Sequence, residues 1–241
     1  MSEAEPITIA CLDLAGTTVA DGDLVETAFA EAIAALGIAS GTAAHERSMA
    51  RVRESRGGSK IEIFRSLFDE ARAQAANLAF QQSYDQLVDR HGLRPVPGAD
   101  RAIERIRGAG VRVCLLTGFA RSTQARILDT LGWWDRADLT LCPEDVARGR
   151  PWPDLVLTAA LRLGADDVRH IAVCGDTAND MRTGRRSGAS IVAGVLTGAH
   201  DRPRLLAAGA THVLPSVAAF PDLILAGAPA PLDKALTADH G

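Results

Sequence analysis

Residues 9–19, IACLDLAGTTV, read as a buried strand that ends on an acid. Apolar residues run from Ile9 to Leu12 and stop at Asp13; the small residues Ala15, Gly16, Thr17 and Thr18 then turn the chain. Such a layout presents one carboxylate at the C-terminal end of a strand, with backbone amides curling around it. The second residue after that acid is Ala15, so the strand end carries a single carboxylate.

Working outward, short apolar runs alternate with helical patterns, the signature of a parallel sheet covered by helices on both faces. Strands are expected at 7–12, 111–116, 139–142, 170–174, 190–193 and 212–214, with helices at 100–108, 121–131, 153–163, 178–187 and 203–208. Gly110, Gly132, Gly164 and Gly188 follow these helices, where glycine takes the left-handed cap conformation. The expected fold class is α/β: a doubly wound parallel sheet, Rossmann-like, with an inserted all-helical domain. That insert is the stretch 24–91, which lacks any strand-like run. Ile61, Phe64, Leu67 and Phe68 are expected on one helical face, and Leu78, Leu87 and Val88 on another. The reading divides the chain into a core of 1–20 and 95–225, a helical cap of 21–94 and an Ala/Pro-rich flexible tail of 226–241.

Composition narrows the function classes. Of 241 residues, 47% are apolar and 23% charged, as in a soluble globular protein, and the net charge of -4 lacks the basic footprint of a nucleic-acid binder. The opening MSEAEPITIA has no basic region of the kind that starts a secretory leader, and no apolar run is long enough to span a membrane. Cys11, Cys114, Cys142 and Cys174 form no C-x-x-C pair and read as reduced core residues, so a cytoplasmic protein is expected. A homodimer is left open.

Three further segments end at strand termini and should converge with Asp13, because open parallel sheets bind ligands beyond the carboxyl ends of their strands. They are Thr117-Gly118 in VCLLTGFAR, Arg150 in ARGRPWPDL, and Asp176 with Asp180 in IAVCGDTANDMRTG. A carboxylate nucleophile, a hydroxyl beside an amide, a fixed cation and a second acidic pair suit a phosphoryl group, with a hard divalent cation between the carboxylates.

In this order the four motifs resemble those of the haloacid dehalogenase superfamily: a first-strand D-x-D-G-T, a Thr or Ser ending the next core strand, a basic residue, and a late G-D-x-x-x-D. The resemblance spans nearly the whole chain. It implies that Asp13 is the nucleophile and forms an aspartyl-phosphate. It also implies Mg²⁺ held by Asp13, the Ala15 carbonyl and Asp176, with Asp180 behind them, and Gly16 and Thr17 in the binding turn. Members that attack carbon need no metal; a charged phosphoryl group beside Asp13 does, so the acidic pair favours phosphorus chemistry.

Phosphatases of this superfamily use the second aspartate to protonate a leaving alkoxide. Alanine cannot. If the bond broken is P–C, the leaving carbon needs an electron sink, which an imine on a lysine supplies. The chain has 26 Lys and Arg residues, of which only Lys60 and Lys234 are lysine, and Lys60 follows Gly57-Gly58-Ser59 in the helical insert. With DLAGTT at 13–18 and GRP at 149–151, the chain resembles the phosphonatase-like members, relatives of phosphonoacetaldehyde hydrolase. That resemblance implies an imine on Lys60, with Thr117, Gly118 and Arg150 holding the phosphonate oxygens. The chain departs from the phosphonatase pattern at three positions: Arg56 replaces a Met, Ile63 a His and Phe119 a Tyr. Arg56 reads either as an ordinary solvated arginine or as a sign of a substrate with a further anionic group. Three readings stand: a Mg²⁺-dependent P–C hydrolase of a small-molecule 2-oxoalkyl phosphonate, a small-molecule phosphate monoesterase, and a catalytically idle phosphate-binding protein.

Overall fold

A computed structural model describes residues 6–226; the expected tail, and Lys234 with it, fall outside these except for Ala226. Six parallel strands form one sheet: β1 (Ile9–Asp13), β4 (Arg112–Leu116), β5 (Leu139–Leu141), β6 (Ile171–Gly175), β7 (Ile191–Val195) and β8 (His212–Leu214). Their order is β5-β4-β1-β6-β7-β8, so β1 is central and the chain reverses direction across the sheet next to it. A ligand crevice belongs at that switch.

The strand β1 is buried on both sides, as strands of covered parallel sheets are. Ala10 and Leu12 face one apolar cluster, while Ile9 and Cys11 face the other. Helices α5 (Ala99–Gly108), α6 (Arg121–Leu131) and α10 (Phe220–Leu225) pack in the first layer. In the second, α7 (Asp154–Leu163), α8 (Ala178–Ser187) and α9 (Arg202–Ala207) supply Leu155, Met181 and Leu205. The expected strands and helices all form, with ends displaced by a few residues. All four cysteines are buried and free.

Between β1 and α5 lies the insert. A two-stranded antiparallel ribbon, β2 (Val19–Ala20) with β3 (Arg94–Pro95), brackets it. Four helices fill it: α1 (Leu24–Ala35), α2 (Ala43–Glu54), α3 (Lys60–Arg65) and α4 (Glu70–His91). The ribbon is too short to leave a sequence pattern. Leu78 is a correction: it stands 56% exposed while Leu87 and Val88 are buried. Nine residues separate Leu78 from Leu87, about two and a half helical turns, which puts the two on opposite faces. The buried stripe of α4 is Ala73, Ala76, Phe80, Tyr84, Leu87 and Val88.

Aromatic rings tie the insert to the sheet. Phe80 and Tyr84 of α4 stand 6.2 and 5.0 Å from Phe119, which belongs to the turn after β4. Each such pair contributes about 0.5–1.5 kcal/mol beyond its buried area. The first apolar cluster thus runs unbroken from the sheet into the insert.

Candidate active site

The turn after β1 closes tightly enough to need glycine. Gly16 has φ +84, and a Cβ there would lie 2.6 Å from the Asp176 Oδ2. The Thr18 hydroxyl donates to the Asp13 carbonyl at 2.8 Å and pins the turn beneath the carboxylate. At the end of β4, the Thr117 Oγ1 accepts from the Phe119 amide at 3.1 Å, which leaves its O–H for a further acceptor. Asp176 follows β6, and its Oδ2 accepts from the Ala199 amide at 2.7 Å. Asp180 sits in the first turn of α8, where Thr177 and Asp180 form a reciprocal capping box. Such a box fixes a carboxylate at a helix start whose dipole favours it.

Arg150 comes from the loop between β5 and α7. Its guanidinium donates to the Asp13 Oδ1 at 2.7 Å and also pairs with Asp180. All three side chains are buried. The Arg150 Nε is buried and has no hydrogen-bond partner among the described residues.

The buried carboxylates of Asp13, Asp176 and Asp180 bring oxygens within 4.8 Å of one another. Burial, then the charge of Asp13, pushes Asp176 up to about 7. An all-carboxylate set of hard oxygens, short of positive charge, fits a divalent cation such as Mg²⁺.

Across the same cavity, of about 270 Å³, the insert contributes Lys60 at the first residue of α3. Its backbone amide donates to the Gly118 carbonyl at 3.3 Å, and its Nζ lies 4.2 Å from the centre of the Phe119 ring. Burial, helped by the Arg150 charge, lowers the Lys60 amine from 10.5 to about 8; Asp13, Asp21 and Asp176 oppose the shift. The preceding Gly57-Gly58 loop lies directly on the core. A Cβ on Gly118 would approach the Gly58 carbonyl oxygen to 2.5 Å, and one on Gly57 (φ +82) would meet the Thr177 Oγ1 at 2.0 Å. The Asn179 side chain closes this seam by donating to the carbonyls of Ser55 and Arg56 at 3.3 and 2.9 Å.

Asp13, Ala15, Gly16, Lys60, Thr117, Gly118, Arg150 and Asp176 therefore line one cavity, Asp180 meets it through Arg150, and Thr17 lies beneath, its hydroxyl 3.4 Å from the Asp176 Oδ1. Arg56 lines the cavity too, with its guanidinium paired to Glu26 from α1, a carboxylate that Arg53 shares. Ile63 is buried in the apolar cluster. Sequence reasoning missed Asp21, which lines the cavity from the loop after β2. The residues VADGD look like an ordinary turn, and only the ribbon that brings them back to the sheet reveals the carboxylate's place. It also missed Phe119 as the floor beneath the lysine.

A family model for haloacid dehalogenase-like hydrolases matches residues 7–188. A phosphonoacetaldehyde hydrolase of Bacillus cereus is 30% identical over 142 residues, which cover 58% of this chain and 52% of that protein. The one from Pseudomonas paraeruginosa (strain DSM 24068 / PA7) is 29% identical over 217 residues, 80% of this chain and 75% of that protein. The chain spans about half the length of the first curated relatives it matches, 52% and 59% for two of them. Among solved structures, a phosphonoacetaldehyde hydrolase-like protein from Oleispira antarctica superposes with a TM-score of 0.79 at 24% identity, covering 93% of each chain.

Proposed function

The chain belongs to the haloacid dehalogenase-like hydrolases, and from that membership we propose that it is a Mg²⁺-dependent, phosphonatase-like hydrolase that cleaves the P–C bond of a 2-oxoalkyl phosphonate. One observation carries the proposal: the only lysine among the described residues is buried in the cavity that holds Asp13, while the position of the leaving-group acid is Ala15. A phosphate ester needs a proton on its leaving oxygen; a 2-oxoalkyl phosphonate needs an amine for its carbonyl.

In this mechanism the helical insert acts as the cap and seals the substrate against Gly118 and Thr177. The neutral Lys60 amine adds to the substrate carbonyl and water is expelled, leaving a protonated imine. The Asp13 carboxylate then attacks phosphorus, the P–C bond breaks, and its electron pair flows through the C=N bond to give an enamine on Lys60. Water hydrolyses the aspartyl-phosphate, and protonation and hydrolysis of the enamine free the lysine. Arg150 and Thr117, both in the cavity lining, hold the phosphonate oxygens. Asp13, Asp176 and the Ala15 carbonyl, with Asp180 behind, would hold a Mg²⁺ ion, which would supply charge neutralisation between carboxylate and phosphonate.

The test is product analysis with phosphonoacetaldehyde, 2-oxopropylphosphonate and phosphoglycolate offered separately. The proposal expects phosphate together with acetaldehyde or acetone from the first two. Phosphate release from phosphoglycolate alone would replace it with the monoesterase reading.

A further inference from the structure

Imine chemistry requires more proton transfers than Lys60 alone can perform. The carbinolamine loses its oxygen as water only if that oxygen is protonated, and hydrolysis of the imine needs a base for the incoming water. Ala15 and Ile63 cannot serve, and Tyr84, the nearest phenol, is held far from ionisation by burial. Asp13, Asp176 and Asp180 are committed to the phosphoryl and cation side of the cavity.

Asp21 stands elsewhere. It leaves the ribbon one residue after β2 and lines the cavity together with Lys60 and Phe119. Its Oδ2 accepts from the Val25 amide at 3.3 Å, and its Oδ1 lies 3.5 Å from the Tyr84 hydroxyl, which anchors the carboxyl from α1 and α4. Among the described residues no arginine is hydrogen-bonded to or ion-paired with it, and Arg56 is bound to Glu26.

We infer that Asp21 is the acid and base of the carbonyl half-reaction, exchanging protons with the substrate oxygen that Lys60 displaces; the inference rests on the imine reading above. In dehydration the Asp21 carboxyl gives its proton to the carbinolamine oxygen, the C–O bond breaks, water leaves, and the nitrogen lone pair forms the C=N bond. In product release, water adds to the imine carbon and the Asp21 carboxylate takes its proton, which restores the starting acid. The carboxyl is thus unchanged over the cycle, and no further reactant is needed.

The surroundings suit this role. Burial raises Asp21 to about 6, opposed by the Val25 amide, Lys60, the Tyr84 hydroxyl and Arg56. Asp23 and Glu26 also line the cavity, so Asp21 faces charge of both signs. An acid near 6 beside an amine near 8 exchanges protons readily around neutrality.

The experiment uses 2-oxopropylphosphonate with borohydride, followed by steady-state turnover across pH. Wild type is expected to be trapped on Lys60; no trapping would overturn the imine reading, and this inference with it. With trapping established, Asp21→Asn is expected to lose about 100-fold or more in kcat and to lack the inflection near pH 6 seen in wild type. Asp21→Glu should recover part of the rate and restore an inflection. Both variants are checked for an unchanged melting temperature, and because phosphate transfer to Asp13 follows imine formation, its single-turnover rate in Asp21→Asn is expected to fall with kcat. A wild type that is trapped, alongside an Asp21→Asn variant within about threefold in kcat and with the same pH profile, overturns the assignment to Asp21 alone. A folded Asp21→Glu variant as inactive as Asp21→Asn, with no inflection, would likewise count against proton transfer at this position.

Discussion

Lys60→Arg keeps the charge, fits nearly the same volume and cannot form an imine. At pH 7 an amine at its ordinary 10.5 is about 0.03% neutral, whereas one at about 8 is about 10% neutral. Burial and Arg150 therefore give about 300-fold more reactive amine. Borohydride inactivation with 2-oxopropylphosphonate should accelerate with pH, reach half its maximum near pH 8 and then level. Lys60→Arg should show neither trapping nor more than about 0.1% of wild-type turnover. The same shift affects stability. Because the folded pKa lies below the unfolded one, the unfolded chain binds more protons between about 8 and 10.5, and stability rises with pH across that window. Below pH 8 the buried ammonium costs up to about 3 kcal/mol. Lys60→Met should accordingly melt higher than wild type at pH 7, with the difference vanishing above about pH 10.5. A Lys60→Arg enzyme turning over near the wild-type rate, or trapping with a midpoint near 10.5, would refute the argument and reduce the lysine to a point charge.

Activity is expected to vanish in excess chelator and to return with Mg²⁺, while Ca²⁺ binds but supports little turnover, since its longer bonds misplace the attack; full turnover in chelator would remove the cation from the reaction. Ala15→Asp should bring no gain on a carbonyl phosphonate and raise a trace rate on aryl phosphates; a large gain on a natural phosphate ester would favour a degenerate phosphatase. Gly118→Ala puts a methyl group 2.5 Å from the Gly58 carbonyl, so the insert cannot seat as it does here. Its kcat/KM should fall about tenfold or more, and wild-type kinetics would show that the seam between insert and core does not matter.

How far the sequence reaches depends on the distance over which each feature is built. Asp13, Thr117 and Asp176 stand at the ends of apolar runs, and a strand followed by a polar turn leaves a local pattern that can be read without knowing the pairing. The helical insert was legible for the same reason, as a long stretch without alternation. Its inner face was not: Leu78 has the hydropathy of a core residue, and only the phase of a 22-residue helix assigns it to solvent. The pairing of Arg56 with Glu26 could not be read either, because that carboxylate comes from a helix 30 residues away. Asp21 was invisible for a deeper reason. An acid in a glycine turn has the composition of any surface loop; it becomes an unusual carboxyl only when β2 pairs with β3 across the whole insert and α4 brings Tyr84 over it. On the proposed reading, the half of the cavity that would serve the phosphoryl group is encoded in motifs that each lie within a few residues. The half proposed to serve the carbonyl is assembled from Asp21 and Lys60 of the insert and Phe119 of the core, residues far apart in sequence that the packing of insert on sheet brings to one cavity. Substrate choice should therefore vary among related chains chiefly through that second half, because a change of insert packing retunes Lys60 and Asp21 while leaving Asp13 and Arg150 where the sheet holds them.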